Sequence, residues 1–246
     1  MKKLVAYITT GFPTLEFTQD VAFTLAQNGA DMLELGIPFS DPVADGPIIE
    51  QANLLALQKG FRLDDLFTIS KEITPHIPTF WMGYFNSFYH RGFDNLISYA
   101  KKSKVQGFII PDLPHEEATS YKQSMTLANL DLISFVAPTD SCERISHITK
   151  DSSGFIYLVA YAGITGSGIH ESLDETIASI KQNTQTPIYV GFGVDANTAK
   201  EKANGVDGVI VGSAFVKILL DENLTYTKKI SKIGNLAREI KDKINP

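Results

Sequence analysis

The sequence predicts an α/β protein, a single (β/α)8 barrel of the TIM type with an extra helix after strand 2 and a helical C-terminal tail. Three observations predict it. Eight short β-rich runs alternate with helix-like segments along the 246 residues. No polar or Pro/Gly-rich linker divides them, so residues 1–246 read as one domain. The length suits one barrel, and a composition 43% apolar and 20% charged suits a globule with a sizeable core. A doubly wound open sheet is the rival arrangement. Its dinucleotide fingerprint is missing: ITTGFP, after the first run, has one glycine where G-x-G-x-x-G is needed. The glycine-rich GITGSG at 163–168 follows the sixth run and lacks the Lys-Ser/Thr ending of a P-loop.

The elements follow in order. LVAYITT (4–10) is the first strand; the opening MKKLVAYITTGF lacks a cleavage site, and its apolar run is broken by threonines, so it does not read as a signal peptide. TLEFTQDVAFTLAQNG is a helix closed by Gly29, and DMLELG (31–36) is the second strand. After it come a turn, PIIEQANLLALQKG and RLDDLFTISKEI, one helix more than a minimal barrel needs. TFWM (79–82), GFIIP (107–111) and LISFVAP (132–138) are the next strands, with helices over NLISYAKKS and EEATSYKQSM between them. FIYLVAY (155–161), PIYVGF (187–192) and GVIVGS (208–213) complete the eight, with LDETIASIKQN and NTAKEKANG as helices. SAFVKILLD and TYTKKISKIGNLAREIKDKI form the helical tail.

Several function classes are excluded. A net charge of −6 and a pI near 5.4, without any Lys/Arg stripe, argue against a nucleic-acid partner. One cysteine, Cys142, permits no intramolecular disulfide or thiolate metal cluster and fits a reducing cytoplasm. No run of 18 apolar residues exists to span a membrane. The five histidines form no H-x-H or HExxH pairing, so zinc hydrolysis has no support.

The chemistry concentrates in LELGIPFSDPVADGP. Period-two alternation puts Met32, Glu34 and Gly36 on one face of the second strand and Leu33, Leu35 and Ile37 on the other. The leucine face suits the helices, so Glu34 points into the barrel near its top. A buried carboxylate with no basic partner on the strands has the raised pKa of a general acid/base. Asp45, in the following loop, is either a second site acid or a turn-former before Gly46; Asp41, before Pro42, fits the turn reading better. Mg²⁺ held between these acids is the weaker alternative.

Phe155, Tyr157 and Val159 share a face, so Tyr157 can present its hydroxyl to the same mouth, ahead of a glycine-rich loop suited to a lid. Tyr7 on strand 1 and Asp112 after strand 4 occupy comparable ends. GFGV (191–194) and VGSAF (211–215) end the last two strands, where glycines, backbone N–H groups and the Ser213 hydroxyl suit a phosphate monoester. The aromatic stretch GYFNSFYHRGF (83–93) is a pocket wall, a partner surface or, in part, ordinary packing.

LELGIPFSDPVADGP resembles the signature of tryptophan synthase alpha subunits, and the likeness continues in order through ITTGFP, MGYFN, IIPDLP, YLVAYAGITG, YVGFGV and GVIVGSAFVKI. The resemblance implies cleavage of indole-3-glycerol phosphate to indole and glyceraldehyde 3-phosphate, with no metal or cofactor in this subunit. It also implies a beta-subunit partner carrying pyridoxal phosphate, in an α2β2 assembly. By motif, Glu34, Asp45 and Tyr157 are the catalytic residues, with Tyr7, Tyr84, Asp112, Gly166, Gly193, Gly212 and Ser213 binding substrate. Pro38, Asp41 and Asn86 fall in segments facing or communicating with the partner. Three features depart from the family: no helix precedes strand 1, Tyr161 stands where arginine is usual, and Phe12 where aspartate is common. A standalone lyase, or an alpha-like regulatory subunit of low activity, shares the motifs. Another phosphate-binding barrel, such as an indole-glycerol-phosphate synthase or an isomerase, is a further alternative; the former would be expected to centre on lysine, where the inward strand positions here offer carboxylate and tyrosine.

Overall fold

The structure is a computed structural model and describes residues 1–160 and 173–246. Its strands form one parallel ring. β1 (Lys3–Thr9), β2 (Met32–Gly36), β3 (Thr79–Met82) and β4 (Gly107–Ile109) pair in chain order, while β7 (Ile156–Val159), β8 (Ile188–Gly191) and β9 (Gly208–Val211) lead back to β1. The fifth barrel strand comes in two pieces, β5 (Asp131–Leu132) and β6 (Ser134–Val136). Leu132 pairs with Phe108 of β4, and Ser134 with Ile156 of β7. The ring closes through Ile133 between them, whose N–H donates to the Phe108 carbonyl at 3.0 Å.

Two layers of side chains follow from the pleat. Leu4, Ala6, Ile8, Leu33 and Leu35 point outward into the helix layer, where each fully buried side chain contributes roughly 1.5–3 kcal/mol. Val5, Phe80, Ile109, Ile133, Phe155, Tyr157, Tyr189 and Ile210 fill the ring itself, so the barrel is a packed core and not a pore. The expected alternation in β2 holds: Leu33, Leu35 and Ile37 join the outer cluster, and Met32 packs against the inner one.

Local chemistry sets the helices. α1 (Leu15–Gln27) starts where the Thr14 side chain accepts from the Phe17 N–H, and it buries Phe17, Val21, Ala22 and Leu25 on one stripe. α2 (Pro47–Gln58), the extra helix, opens on a proline, which needs no N–H partner at that position. α3 (Leu63–Ile73) is tied to β3 by the buried Trp81 indole N–H, which donates to Ser70 Oγ at 2.8 Å. α5 (Phe93–Ser103), α6 (His115–Leu127), α8 (Asp174–Asn183), α9 (Ala199–Lys202) and α10 (Ser213–Leu220) match predicted segments. α9 is shorter than its sequence suggests.

Two helices have no counterpart in the sequence reading. α4 (Phe85–His90) lies in the aromatic stretch and is too short for a 3.6-residue period to show. Its Phe88 packs on Phe108 with centroids 5.0 Å apart, and Phe93 stands edge-on to the same ring, so much of that stretch is ordinary core, while Tyr89 is exposed. α7 (Cys142–Thr149) buries only Ile145, Ile148 and Thr149, a weak signal, and is started by Ser141 accepting from the Arg144 N–H.

The tail helix α11 (Tyr226–Ile244) buries Ile233, Ala237, Ile240 and Ile244 and packs against α1, α9, α10 and β1. Asp31, just ahead of β2, accepts from Lys241 Nζ, from Lys3 Nζ at 3.2 Å and from the Leu4 N–H at 2.8 Å. Lys241 also donates to the Lys2 carbonyl at 2.8 Å. Burial pushes the Asp31 carboxyl up, but the hydrogen bonds from Lys241, Leu4 and Lys3 outweigh it and hold the group below its ordinary value. Its stabilising contribution is therefore present above about pH 4 and is lost as pH falls through the depressed value. Asp31→Ala should cost about 1–3 kcal/mol in urea unfolding at pH 7, with the gap to the parent narrowing in acid. A gap of the same size at pH 7 and pH 3 would contradict this role.

Candidate active site

The C-terminal ends of the strands enclose a cavity of about 320 Å³ lined by Tyr7, Glu34, Asp45, Met82, Tyr157, Phe192, Gly193, Ile210, Gly212 and Ser213, with residues of the turn leading into α2. That size lies at the small end of ordinary ligand sites. The strand register explains why these groups meet: Tyr7 is paired with Glu34, and Glu34 with Phe80, so an acid on β2 sits between aromatic neighbours on both sides.

Glu34 is 2% exposed, and its Oε1 has no hydrogen-bond partner among the described residues. Burial raises its carboxyl to about 8, helped by the negative charge of Asp45. Asp45 is less extreme. Burial lifts it to about 6, while hydrogen bonds from Tyr84 and Asn53 oppose the rise and the charge of Glu50 adds to it. The Asn53 Nδ2 donates to Asp45 Oδ2 at 3.2 Å, and the Ala44 N–H donates to Tyr84 Oη at 3.1 Å, so the turn, α2 and the end of β3 form one network. Near neutral pH this leaves one protonated and one ionised carboxyl on a single cavity, a pairing suited to general acid chemistry beside a stabilised positive charge.

The two tyrosines are held by glycines. A Cβ on Gly36 would lie 2.2 Å from Tyr7 Oη, and one on Gly191 would lie 2.5 Å from the Tyr157 ring. Each phenol thus lies across a neighbouring strand at a point with no side chain, and burial raises the pKa of both well above the ordinary value. Tyr157 is wedged further by Phe135, stacked at 4.7 Å between centroids. The sequence places Gly36 on the Glu34 face and Gly191 at the end of the seventh run, but only the folded register sets them beneath Tyr7 and Tyr157.

The last two loops contribute the backbone. Gly193 has φ +68°, open to glycine, and Phe192 shares that φ, a conformation that costs a bulky residue about 1–3 kcal/mol. Thr198 Oγ1 donates to the Gly193 carbonyl at 2.9 Å and holds the turn. Gly212 and Ser213 stand at the start of α10, whose N–H groups and dipole favour an anion.

Other predicted positions lie elsewhere. Tyr84 is buried and reaches the site through Asp45, with its ring stacked on Phe39. Asp112 is exposed, and its Oδ1 accepts from the Phe85 N–H at 2.8 Å, so it starts α4 and is not among the residues lining the cavity. Pro38 is buried, whereas Asp41 and Asn86 are exposed on the same face of the barrel as the mouth. Phe12 is buried with Lys59 Nζ 5.6 Å above its ring. Gly166, Tyr161 and the rest of the glycine-rich loop lie outside the described residues. Among the described residues no three His, Cys, Asp or Glu side chains converge as a metal site. Asn53 was the residue sequence reasoning missed, because an asparagine inside an amphipathic helix carries no distinguishing pattern.

Comparison with known proteins gives one answer throughout. A family model described as tryptophan synthase alpha chain matches residues 1–245. The tryptophan synthase alpha chain of Wolinella succinogenes is 56% identical over 246 residues, covering 100% of this chain and 96% of that one. Tryptophan synthase subunit alpha from Campylobacter jejuni aligns with a TM-score of 0.86 at 32% identity, over 96% of this chain and 95% of its own. A structure of Mycobacterium tuberculosis tryptophan synthase aligns at 0.89 and 30% identity, covering 100% of this chain and 93% of that one.

The glycine platform is testable by itself. Gly191→Ala should displace the Tyr157 ring and destabilise the fold by about 1–3 kcal/mol, the usual effect of overpacking. The melting temperature should fall and the near-UV circular dichroism should change. An alanine variant with the parent's melting temperature and spectrum would show that Tyr157 does not rest where the structure puts it.

Proposed function

This chain belongs to the tryptophan synthase alpha chain family, and on that basis we propose that its barrel mouth carries out retro-aldol cleavage of indole-3-glycerol phosphate to indole and glyceraldehyde 3-phosphate. The observation that carries the reading is a single cavity that brings together the buried Glu34, whose carboxyl burial pushes up to about 8, Asp45, raised less to about 6, and the start of α10 at Ser213. A neutral carboxyl can deliver a proton, an ionised one can stabilise a cation, and backbone donors can hold a phosphate.

The roles follow from the electron flow. Glu34 gives its proton to indole C3, and Asp45 faces the ring N–H, where positive charge appears as the indolenine forms. The bond from C3 to the side chain then breaks, its electron pair restores the aromatic ring, and the adjacent hydroxyl becomes the aldehyde as its proton leaves. Glu34, now a carboxylate, takes that proton, so the site returns to its starting state. Tyr157 stands beside Glu34 in the cavity. Tyr7 walls it, and Tyr84 acts through Asp45. Gly193, Gly212 and Ser213 take the phosphate. These steps use side chains of this chain alone.

Family membership supports a tryptophan synthase beta chain as partner. We assign an α2β2 stoichiometry, with indole passed to that partner and its pyridoxal phosphate, and a cytoplasmic location that suits the single cysteine, Cys142. Pro38, Asp41 and Asn86 belong to the partner-facing side in this reading, and Asp112 to the rim.

Purified protein incubated with indole-3-glycerol phosphate, without pyridoxal phosphate, should release indole. The rate should be highest between about pH 6 and pH 8, because Asp45 is protonated below that window and Glu34 loses its proton above it. Glu34→Gln should lower turnover at least roughly 100-fold while a substrate analogue still binds. Mixing with a matched beta chain should give the mass of an α2β2 complex and a faster release. No indole with or without that partner, or near-normal turnover in the Gln variant, would refute the assignment.

A further inference from the structure

Asn53 sits where a fold has little use for it. It lies inside α2, is 1% exposed, and shares its buried face with Ala52 and Ala56, positions where an apolar residue would serve the helix better. Its Oδ1 has no partner among the described residues, a deficit that opposes folding. Its Nδ2 points at Asp45 Oδ2, 3.2 Å away. A buried amide that leaves its acceptor unpaired and directs its donor to a site carboxylate is placed for the site, not for the helix.

We infer that Asn53 is a positioning residue that, together with Tyr84, clamps the Asp45 carboxylate in the orientation and ionised form that faces the substrate ring N–H. The inference rests on the reading of Asp45 given above. A carboxylate offers about four lone-pair directions, and two donors leave the remainder for the ligand. The charged and titratable groups around Asp45 explain why a clamp is needed. Glu50 on α2 raises its pKa directly. Glu34 on β2, Tyr7 on β1 and Tyr157 on β7 are each disfavoured as anions by the charge of Asp45. Against burial and these neighbours, the hydrogen bonds favouring ionised Asp45 come from Asn53 and Tyr84. Without the amide, Asp45 should hold its proton to higher pH and rotate more freely.

The test is the pH profile of kcat/KM for Asn53→Ala and the near-isosteric Asn53→Asp, with Asp45→Asn as reference and circular dichroism as a check on folding. In Asn53→Ala the acidic limb should move above about pH 6, so that kcat/KM falls roughly tenfold at pH 6.5 and recovers to within about threefold of the parent near pH 8. Asn53→Asp should move the limb further, since a second carboxylate replaces the donor. Adding Asn53→Ala to Asp45→Asn should change little, because the clamp has then lost its object. A folded Asn53 variant that loses activity equally at every pH, or loses as much again in the Asp45→Asn background, overturns the inference. If neither alanine nor aspartate folds at position 53, Tyr84→Phe must show the limb shift, and its absence counts equally against the clamp. Near-normal turnover in Asp45→Asn itself would instead refute the role of Asp45, a separate failure.

Discussion

The carboxyl of Glu34, held out of water inside the barrel, is the constraint on which the rest of the site depends. Raising a glutamate to about 8 opposes folding by roughly 3–5 kcal/mol between neutral and mildly alkaline pH. A chain with a net stability of some 5–15 kcal/mol can carry that only with a well-formed barrel around it. The outer layer of Leu33, Leu35 and their helix partners supplies the apolar burial, and the inner layer of Phe80, Phe155 and Tyr189 excludes water below the mouth. Glu34 stays protonated because the strands that flank it, β1 and β3, place Tyr7 and Phe80 beside it.

Asp45 sets the contrast that makes the pair useful. It comes from a turn, not a strand, so donors from two directions can reach it: Asn53 from α2 and Tyr84 from the end of β3. Two carboxyls in one cavity therefore sit about two pKa values apart, and the difference arises from hydrogen bonding as well as from burial. The extra helix after β2 matters for this reason. Without α2 there would be no Asn53 and no fixed return of the chain over the mouth.

Much of this was legible in the sequence, and the exceptions have physical causes. Eight strands, the inward side of β2 and the loops of β8 and β9 could be read because period-two alternation and glycine placement are local properties. α4 and α7 could not: α4 buries only Phe88 within a run of aromatics, and α7 buries Ile145, Ile148 and Thr149 alone, so neither shows an apolar stripe. The fifth strand read as one run but pairs as two, because its neighbours change on either side of Ile133, a fact of closure and not of composition. Glu34 announced itself as an acid among leucines. Asn53 and the glycines under Tyr7 and Tyr157 act through partners distant in the chain, so only the folded register reveals them. Asp112 accepts from the Phe85 backbone N–H, a contact between distant segments that only the fold shows.

The central claim is that the fold keeps Glu34 protonated at neutral pH while Asp45 ionises. Its most direct test is a titration of the free protein with ¹³C-labelled glutamate side chains, followed by carboxyl NMR and assigned by the resonance missing from Glu34→Gln. The account predicts one glutamate titrating near 8, well above the rest. A Glu34 signal that titrates near the ordinary glutamate value of about 4.3 would contradict it.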